Sequence, residues 1–470
     1  MNLIFPVIIA SIFVFFRNIS TYPLTNWDEA WYGEIIKNMA SGSYQHLMPF
    51  WNGSYFFDHS PLYFWLTTII VKIFGLGEWQ VRLISAISAT IATVLVFLIG
   101  KRLKDQNLGA ICALIFLTIG QVVPRFSHGN LDAFLICLFL ASFYAYLISE
   151  ETRLILVTRI NLASVLCGIS IGLGILVKSW GTGLFPIALI FIYAFFKNRK
   201  LPKNSLLIIA SALVTFGWWY VWGTLTWGKT FINWYILNPS ENGLGSPIQS
   251  FSPFYLKTAA RDVCLWFLPL ASGIVLSVKK TKLKIDPIIA SFTLMSVIYI
   301  FALNFLYNKS DWYNLPAYPF VAVTIGYFTY AIFKIWPKIT LFALIVIAAI
   351  QIWNVNRIEN IYPDRSKVGA DLGKKAKQVI PKGSTVILDD HDLTSFLFYS
   401  DQTAIFTIEE GKKDNFSQWW KISHDNLADF TKTHQNVWIV TKNPKQLNLK
   451  ENYQQIDYIN QYYFLKIIKK

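Results

Sequence analysis

The chain has 470 residues and a formal net charge of +15, yet only 15% of its residues are charged and 54% are hydrophobic. An aromatic share of 17% gives far more apolar surface than a disordered chain carries. The positive charge does not indicate nucleic-acid binding, because the basic residues sit in short clusters between long uncharged runs.

A membrane-crossing helix needs about 20 apolar residues. The first run, Asn2–Phe16, is short and can extend past Arg17 by snorkelling. No basic stretch precedes it and no small-residue cleavage site follows, so it reads as a retained helix rather than a signal peptide. Further runs are Leu83–Gly100, Leu108–Pro124, Ala133–Ser149, Ile160–Val177, Ser179–Phe196 and Asn204–Gly228. Val263–Val278, Pro287–Asn308, Trp312–Phe333 and Ile339–Asn356 bring the expected spans to eleven. Pro61–Leu76 is short for a span, with Thr68, Lys72 and Gly75 on one helical face. If it lies flat as an interfacial helix, the basic clusters at Lys101–Lys104, Arg153–Arg159, Lys197–Lys203, Lys279–Lys284 and Lys334–Lys338 all fall on one side, the cytoplasm. Arg17 is then the one mild exception.

The loops Thr21–Ser60, Arg125–Asp132, Trp227–Asp262 and Asn308–Asp311 then face outward. The four cysteines sit in spans and define no disulfide framework. Beyond Trp353 the composition becomes polar and mixed. STVILDD and NVWIVTK read as short strands, and DNLADFTKTH as a helix with an Asp cap. The fold class is therefore a polytopic α-helical membrane protein, residues 1–356, with interfacial helices in the first outer loop. A small extracytoplasmic α/β domain, residues 357–470, follows.

Five outer patches carry chemistry. In TNWDEAWYGEIIKNM, Asn26 is placed to cap a helix starting at Trp27, with Asp28 and Glu29 in its first turn. Adjacent acids there are ordinary dipole partners, but an exposed carboxylate at the interface can also take a proton from a sugar hydroxyl or hold a metal. Asp58 and His59 precede the flat helix as a weak metal-ligand pair, or as a solvated polar loop. Asp132 stands at the membrane entry of a span, where ionisable groups are costly and often functional; His128 nearby more often has a structural role. Lys178, Lys309 and Tyr313 lie at outer edges, where the cations can bind a lipid phosphate or simply snorkel. Asn238 and Glu241 add polar groups with no chemistry readable from their spacing. No P-loop, G-x-G-x-x-G or HExxH motif occurs.

In these patches the chain resembles the bacterial GT-C glycosyltransferases of the protein O-mannosyltransferase type, which include lipid A aminoarabinose transferases and rhizobial lipopolysaccharide core-sugar transferases. The resemblance runs in order over residues 1–340: Asp28-Glu29 with AWYGEIIKNM, then YFFDHSPLYFWL against the family's YFEKPPLYYWL. FGLGEWQVRLISAISA, GNLDAFL, LVKSWGTGLFP against LTKGPxGLLP, and NKSDWYNLPAYP follow. The chain departs at Asp58-His59-Ser60-Pro61, where the family has Glu-Lys-Pro-Pro, and at Ser127-His128, where an Arg commonly stands.

The resemblance implies a polyprenyl-phosphate-linked sugar donor, a lipid, glycan or protein acceptor, a bilayer setting and no nucleic acid. It implies Asp28, Glu29 and Asp132 as catalytic residues, and His59, Lys178, Lys309 and Tyr313 as donor-phosphate ligands. A divalent metal, if used, falls to Asp58 and His59. The alternative is a transporter or flippase of a lipid-linked or small polar substrate. A transporter predicts ionisable groups at mid-span, whereas the acids here sit at the outer ends. A purely structural, helix-anchored protein leaves the ordered motifs unexplained.

Overall fold

The structure is a computed structural model. It describes residues 2–42, 47–151, 161–237, 248–280, 285–355, 364–408, 420–447, 449 and 452–468. Two compact units divide the chain: Met1–Ile19, Phe57–Tyr63 and Arg82–Ile361 in the first, and Ser20–Phe56, Phe64–Val81 and Tyr362–Lys470 in the second.

The first unit is a polytopic helical membrane protein. Seven helices among the described residues are long and apolar enough to cross a membrane: Glu78–Leu103, Leu131–Glu151, Trp180–Asn198, Ser205–Trp227, Phe254–Val278, Asp311–Phe333 and Pro337–Asn354. Shorter apolar helices stand at Ile4–Phe16, Leu62–Phe74, Gln106–Phe116, Leu162–Val177 and Pro287–Leu303. Polar caps set several starts. Asp105 accepts from the amides of Asn107 and Leu108, Asn161 from Ser164, and Asp286 from Ile288, where Pro287 takes the first helical position.

One expected span differs and one short helix agrees. The run Leu108–Pro124 is not one helix. It ends at Phe116, turns, and resumes as the short helix Val122–Phe126. Thr118 Oγ1 folds back onto the carbonyls of Leu114 and Ile115, and the amide of Gly120 donates to the carbonyl of Asp262. Hydrophobicity alone hides such a break. The segment Pro61–Leu76 forms the helix Leu62–Phe74, 13 residues long. At 1.5 Å per residue it reaches about 20 Å, short of a hydrocarbon core of about 30 Å. Ile160, Asn238 and Glu241 lie outside the described residues.

The helices Leu162–Val177 and Ser205–Trp227 meet at a glycine seam. A Cβ on Gly168 would come within 2.2 Å of the Ile208 carbonyl, and one on Gly172 within 2.6 Å of Thr215 Cβ. Small residues four apart let the two backbones approach.

The second unit is built on a six-stranded sheet. With β1 as Phe50–Trp51 and β2 as Ser54–Tyr55, its strands are β3 (Thr385–Leu388), β4 (Ala404–Ile408), β5 (Lys421–Ser423), β6 (Val437–Thr441), β7 (Asn452–Ile459) and β8 (Tyr462–Ile468). Their order is β5-β4-β3-β6-β8-β7. β5, β4, β3 and β6 are parallel, and β8 and β7 close the edge antiparallel. The two strands read from sequence, β3 and β6, are neighbours, with Val386 opposite Trp438. One core cluster holds Ile387, Leu427, Val437, Ile439, Leu447, Leu465 and Ile467. The helix expected to carry an Asp cap begins earlier, at His424 after Ser423, so Asp425 lies inside its first turn.

The first-loop residues fold with this sheet. The hairpin β1–β2 turns on Asn52 and Gly53, both at positive φ. The Asn52 amide bridges Ala404, accepting from its N–H at 2.9 Å and donating to its carbonyl at 2.8 Å. Trp31, Trp51 and Trp420 pack their rings 4.9–6.0 Å apart.

Candidate active site

The first unit gathers three of the expected residues, Asp132, Lys178 and Tyr313, into one polar cluster. Asp132 stands in the first turn of the helix Leu131–Glu151 and is 7% exposed. Its amide donates to Asn130 Oδ1, which fixes the helix start. One carboxylate oxygen lies 3.1 Å from Arg125 and the other 3.4 Å from Lys178. The Lys178 ammonium also sits 5.7 Å from the centre of the Tyr313 ring. Its carbonyl accepts from the amide of Ser60, so the Asp58-His59-Ser60 segment is tied to the end of the helix Leu162–Val177. His59 Nε2 and Asp58 Oδ2 are 3.7 Å apart, and the His59 carbonyl accepts from Tyr235.

The cationic side extends further than the sequence indicated. The Arg125 guanidinium stacks 4.0 Å over Trp312. Next along the chain, Asp311 lies 3.4 Å from Arg261, whose Nε donates to Asp262 at 2.9 Å. Arg125 and Arg261 were not among the expected residues. Arg125 stands two residues before Ser127. The Lys309 ammonium donates to the carbonyl of Leu306 at 2.7 Å.

Asp58 and His59 present two ligand atoms beside this cation-rich cluster, a thin donor set for a divalent ion. Among the described residues, three potential metal ligands converge at Asp390, His391 and Asp392 in the second unit. There Arg365 already binds both carboxylates, at 2.7–2.9 Å.

Asp28 and Glu29 lie in the second unit, in the first turn of the helix Asp28–Ser41. Asn26 does not cap this helix. Its Oδ1 accepts from the amide of Ser395 at 3.0 Å, and the residue before the helix is Trp27, at φ 66°. Glu29 is buried and folds back on the segment before the helix; its Oε2 accepts from the amide and hydroxyl of Thr25 at 2.6 and 3.0 Å. Asp28 is half-buried. Further along, burial pushes the Glu34 carboxyl up, offset in part by Lys37. Glu29→Gln keeps an acceptor for Thr25, so its activity is expected to fall less than tenfold or so, far less than a lost base would cost. Initial rates of the two variants, Glu29→Gln and Asp28→Asn, side by side check this.

Residues 58–222 match the family described as dolichyl-phosphate-mannose-protein mannosyltransferase. In fold the chain resembles the GT-C membrane glycosyltransferases. It superposes on the crystal structure of ArnT from Cupriavidus metallidurans bound to undecaprenyl phosphate with a TM-score of 0.76, 15% identity, and 98% and 97% of the two chains covered. An uncharacterized protein of Aquifex aeolicus is 24% identical over 331 residues, 67% of this chain and 62% of that one. The undecaprenyl phosphate-alpha-4-amino-4-deoxy-L-arabinose arabinosyl transferase of Pseudomonas aeruginosa is 26% identical over 208 residues, 42% of this chain and 37% of that one. The chain thus spans less than two thirds of the length of these curated relatives.

Proposed function

We propose that the protein is a glycosyltransferase that moves a sugar from a polyprenyl-phosphate donor to a lipid, glycan or protein acceptor on the extracytoplasmic face of the cell membrane. The single observation that carries this is the cluster of Arg125, Lys178 and Tyr313 around buried Asp132, with His59 alongside, at the ends of apolar helices. Cations held at such helix ends suit a phosphate whose lipid tail stays in the bilayer. A transporter would call for ionisable groups along the spans.

In the reaction, Asp28 takes the proton of the acceptor hydroxyl as its oxygen attacks the anomeric carbon. The bond from that carbon to the phosphate oxygen breaks, and the lipid phosphate leaves with one more negative charge. Lys178 and Arg125 stabilise that charge as it develops. Asp132, already engaged by both cations, orients them. Tyr313 walls the ammonium of Lys178, and His59 stands as a pH-dependent partner where relatives carry Lys. Asp58 and His59 are the residues a metal would find, and no step here depends on one.

The test is incubation of purified protein with a panel of polyprenyl-phosphate sugars, led by undecaprenyl phosphate-α-4-amino-4-deoxy-L-arabinose, and membrane extracts. Release of lipid phosphate supports the assignment; its absence across the panel contradicts it. Orientation has its own check. Reporter fusions after Lys104, Lys200 and Lys282 are expected to read cytoplasmic, and those at Gly53, Gly129, Asn242 and Lys470 external, from the alternation of basic loops. A cytoplasmic Lys470 would overturn the eleven-span arrangement.

A further inference from the structure

The backbone just before Asp28 is held by residues more than 300 positions later in the chain. The amide of Asn26 donates to Ser366 Oγ at 3.1 Å, and the amide of Trp27 donates to Thr394 Oγ1 at 2.5 Å. Asn26 Oδ1 in turn accepts from the amide of Ser395. Thr394 and Ser395 are fully buried and Ser366 is 4% exposed, so water does not compete for these bonds. Upstream, the amide of Leu24 donates to the hydroxyl of Tyr399, which itself donates to Glu78.

Trp27 is the point of this clamp. It stands at φ 66°, ψ −125°, a conformation a bulky side chain avoids. Such strain persists only where the surroundings over-determine it, and it gathers at functional sites. The approach is also close. A Cβ at Gly369 would fall 2.2 Å from Ser395 Oγ and 3.4 Å from Asn26 Oδ1, so a side chain there would displace the Ser395 hydroxyl.

We infer that Thr394, Ser395 and Ser366 are positioning residues, which fix the Asn26–Trp27 backbone and so aim the carboxylate of Asp28. The inference rests on Asp28 acting as the base. It gives the C-terminal residues a part in the reaction without contact with substrate.

Full-length protein in nanodiscs tests it, with initial rates read as released undecaprenyl phosphate from the panel donor that the wild type turns over fastest. Thr394→Val removes the hydroxyl at nearly constant volume, and Asn26→Ala removes the acceptor for Ser395. Each is expected to lower kcat on the order of 10- to 100-fold, the scale of a misplaced catalytic group, with donor KM changed less than about twofold. Thr394→Ser is expected to restore kcat.

Hydrogen exchange supplies a readout independent of turnover: the amides of the 24–30 peptide should exchange faster in Thr394→Val. Unchanged exchange there overturns the clamp. Normal kcat in Thr394→Val beside an inactive Asp28→Asn overturns the positioning role and leaves the base in place. Full activity in Asp28→Asn overturns the base, and the positioning role with it. A parallel loss of kcat, donor KM and thermal stability that Thr394→Ser does not rescue marks a purely structural contact, which also overturns it.

Discussion

Asp28→Asn is expected to abolish most transfer, lowering turnover by about 10²–10⁴-fold, the range for loss of a general base, while the protein still inserts and folds. The separation is possible because Asn keeps the size of Asp28 and can still accept a hydrogen bond at the helix start. Glu29 holds Thr25, and the Asn26–Trp27 segment is held from residues 366, 394 and 395. The substitution removes a charge worth about 0.3–1 kcal/mol at a helix N-terminus, too little to unfold the protein. Wild-type turnover in the variant would make Asp28 a dipole partner only. Expression level, detergent monodispersity and the thermal midpoint, measured with the rate, distinguish lost chemistry from lost folding.

Lys178→Met should act on the donor instead. Lys178 lies 3.4 Å from Asp132 and faces the ring of Tyr313, so its loss leaves Arg125 as the remaining cation on that carboxylate. A charge-assisted hydrogen bond contributes about 1.5–3 kcal/mol, so donor KM is expected to rise on the order of tenfold or more, with acceptor KM unchanged. Lys309→Met is expected to cost less, because that ammonium is engaged by the Leu306 carbonyl. Titration of polyprenyl phosphate as a competitive inhibitor measures the affinity directly. Equal affinity in wild type and Lys178→Met would rule out a phosphate contact at this residue.

Much of this was legible in the sequence because its signals are local. Uncharged runs mark the spans, the β-branched STVILDD and NVWIVTK mark β3 and β6, and the ordered motifs place Asp28, Asp132 and Lys178. What stayed hidden depends on pairing across distance. Arg125 reaches Asp132 only because a short helix, Val122–Phe126, follows the break at Thr118–Gly120, and hydropathy does not register that break. Asn26 has the residue type and spacing of a cap, but Ser395 claims its side chain from the far end of the chain. Glu29 reads from sequence as a partner of Asp28, while its burial and its bonds to Thr25 depend on the folded loop.

The glycine seam between Leu162–Val177 and Ser205–Trp227 ties the first unit to the thickness of its bilayer. Ser205–Trp227 is 23 residues, about 34 Å at 1.5 Å per residue, and only 22% of its apolar window is buried within the protein. The uncovered apolar surface of that helix suits a lipid environment, where a thinner membrane favours tilt. At Gly168 and Gly172 there is no side chain to cushion the contact, so the tilt passes straight to the neighbouring helix, which ends at Lys178. Lipid chain length thus becomes a lever on the position of Lys178.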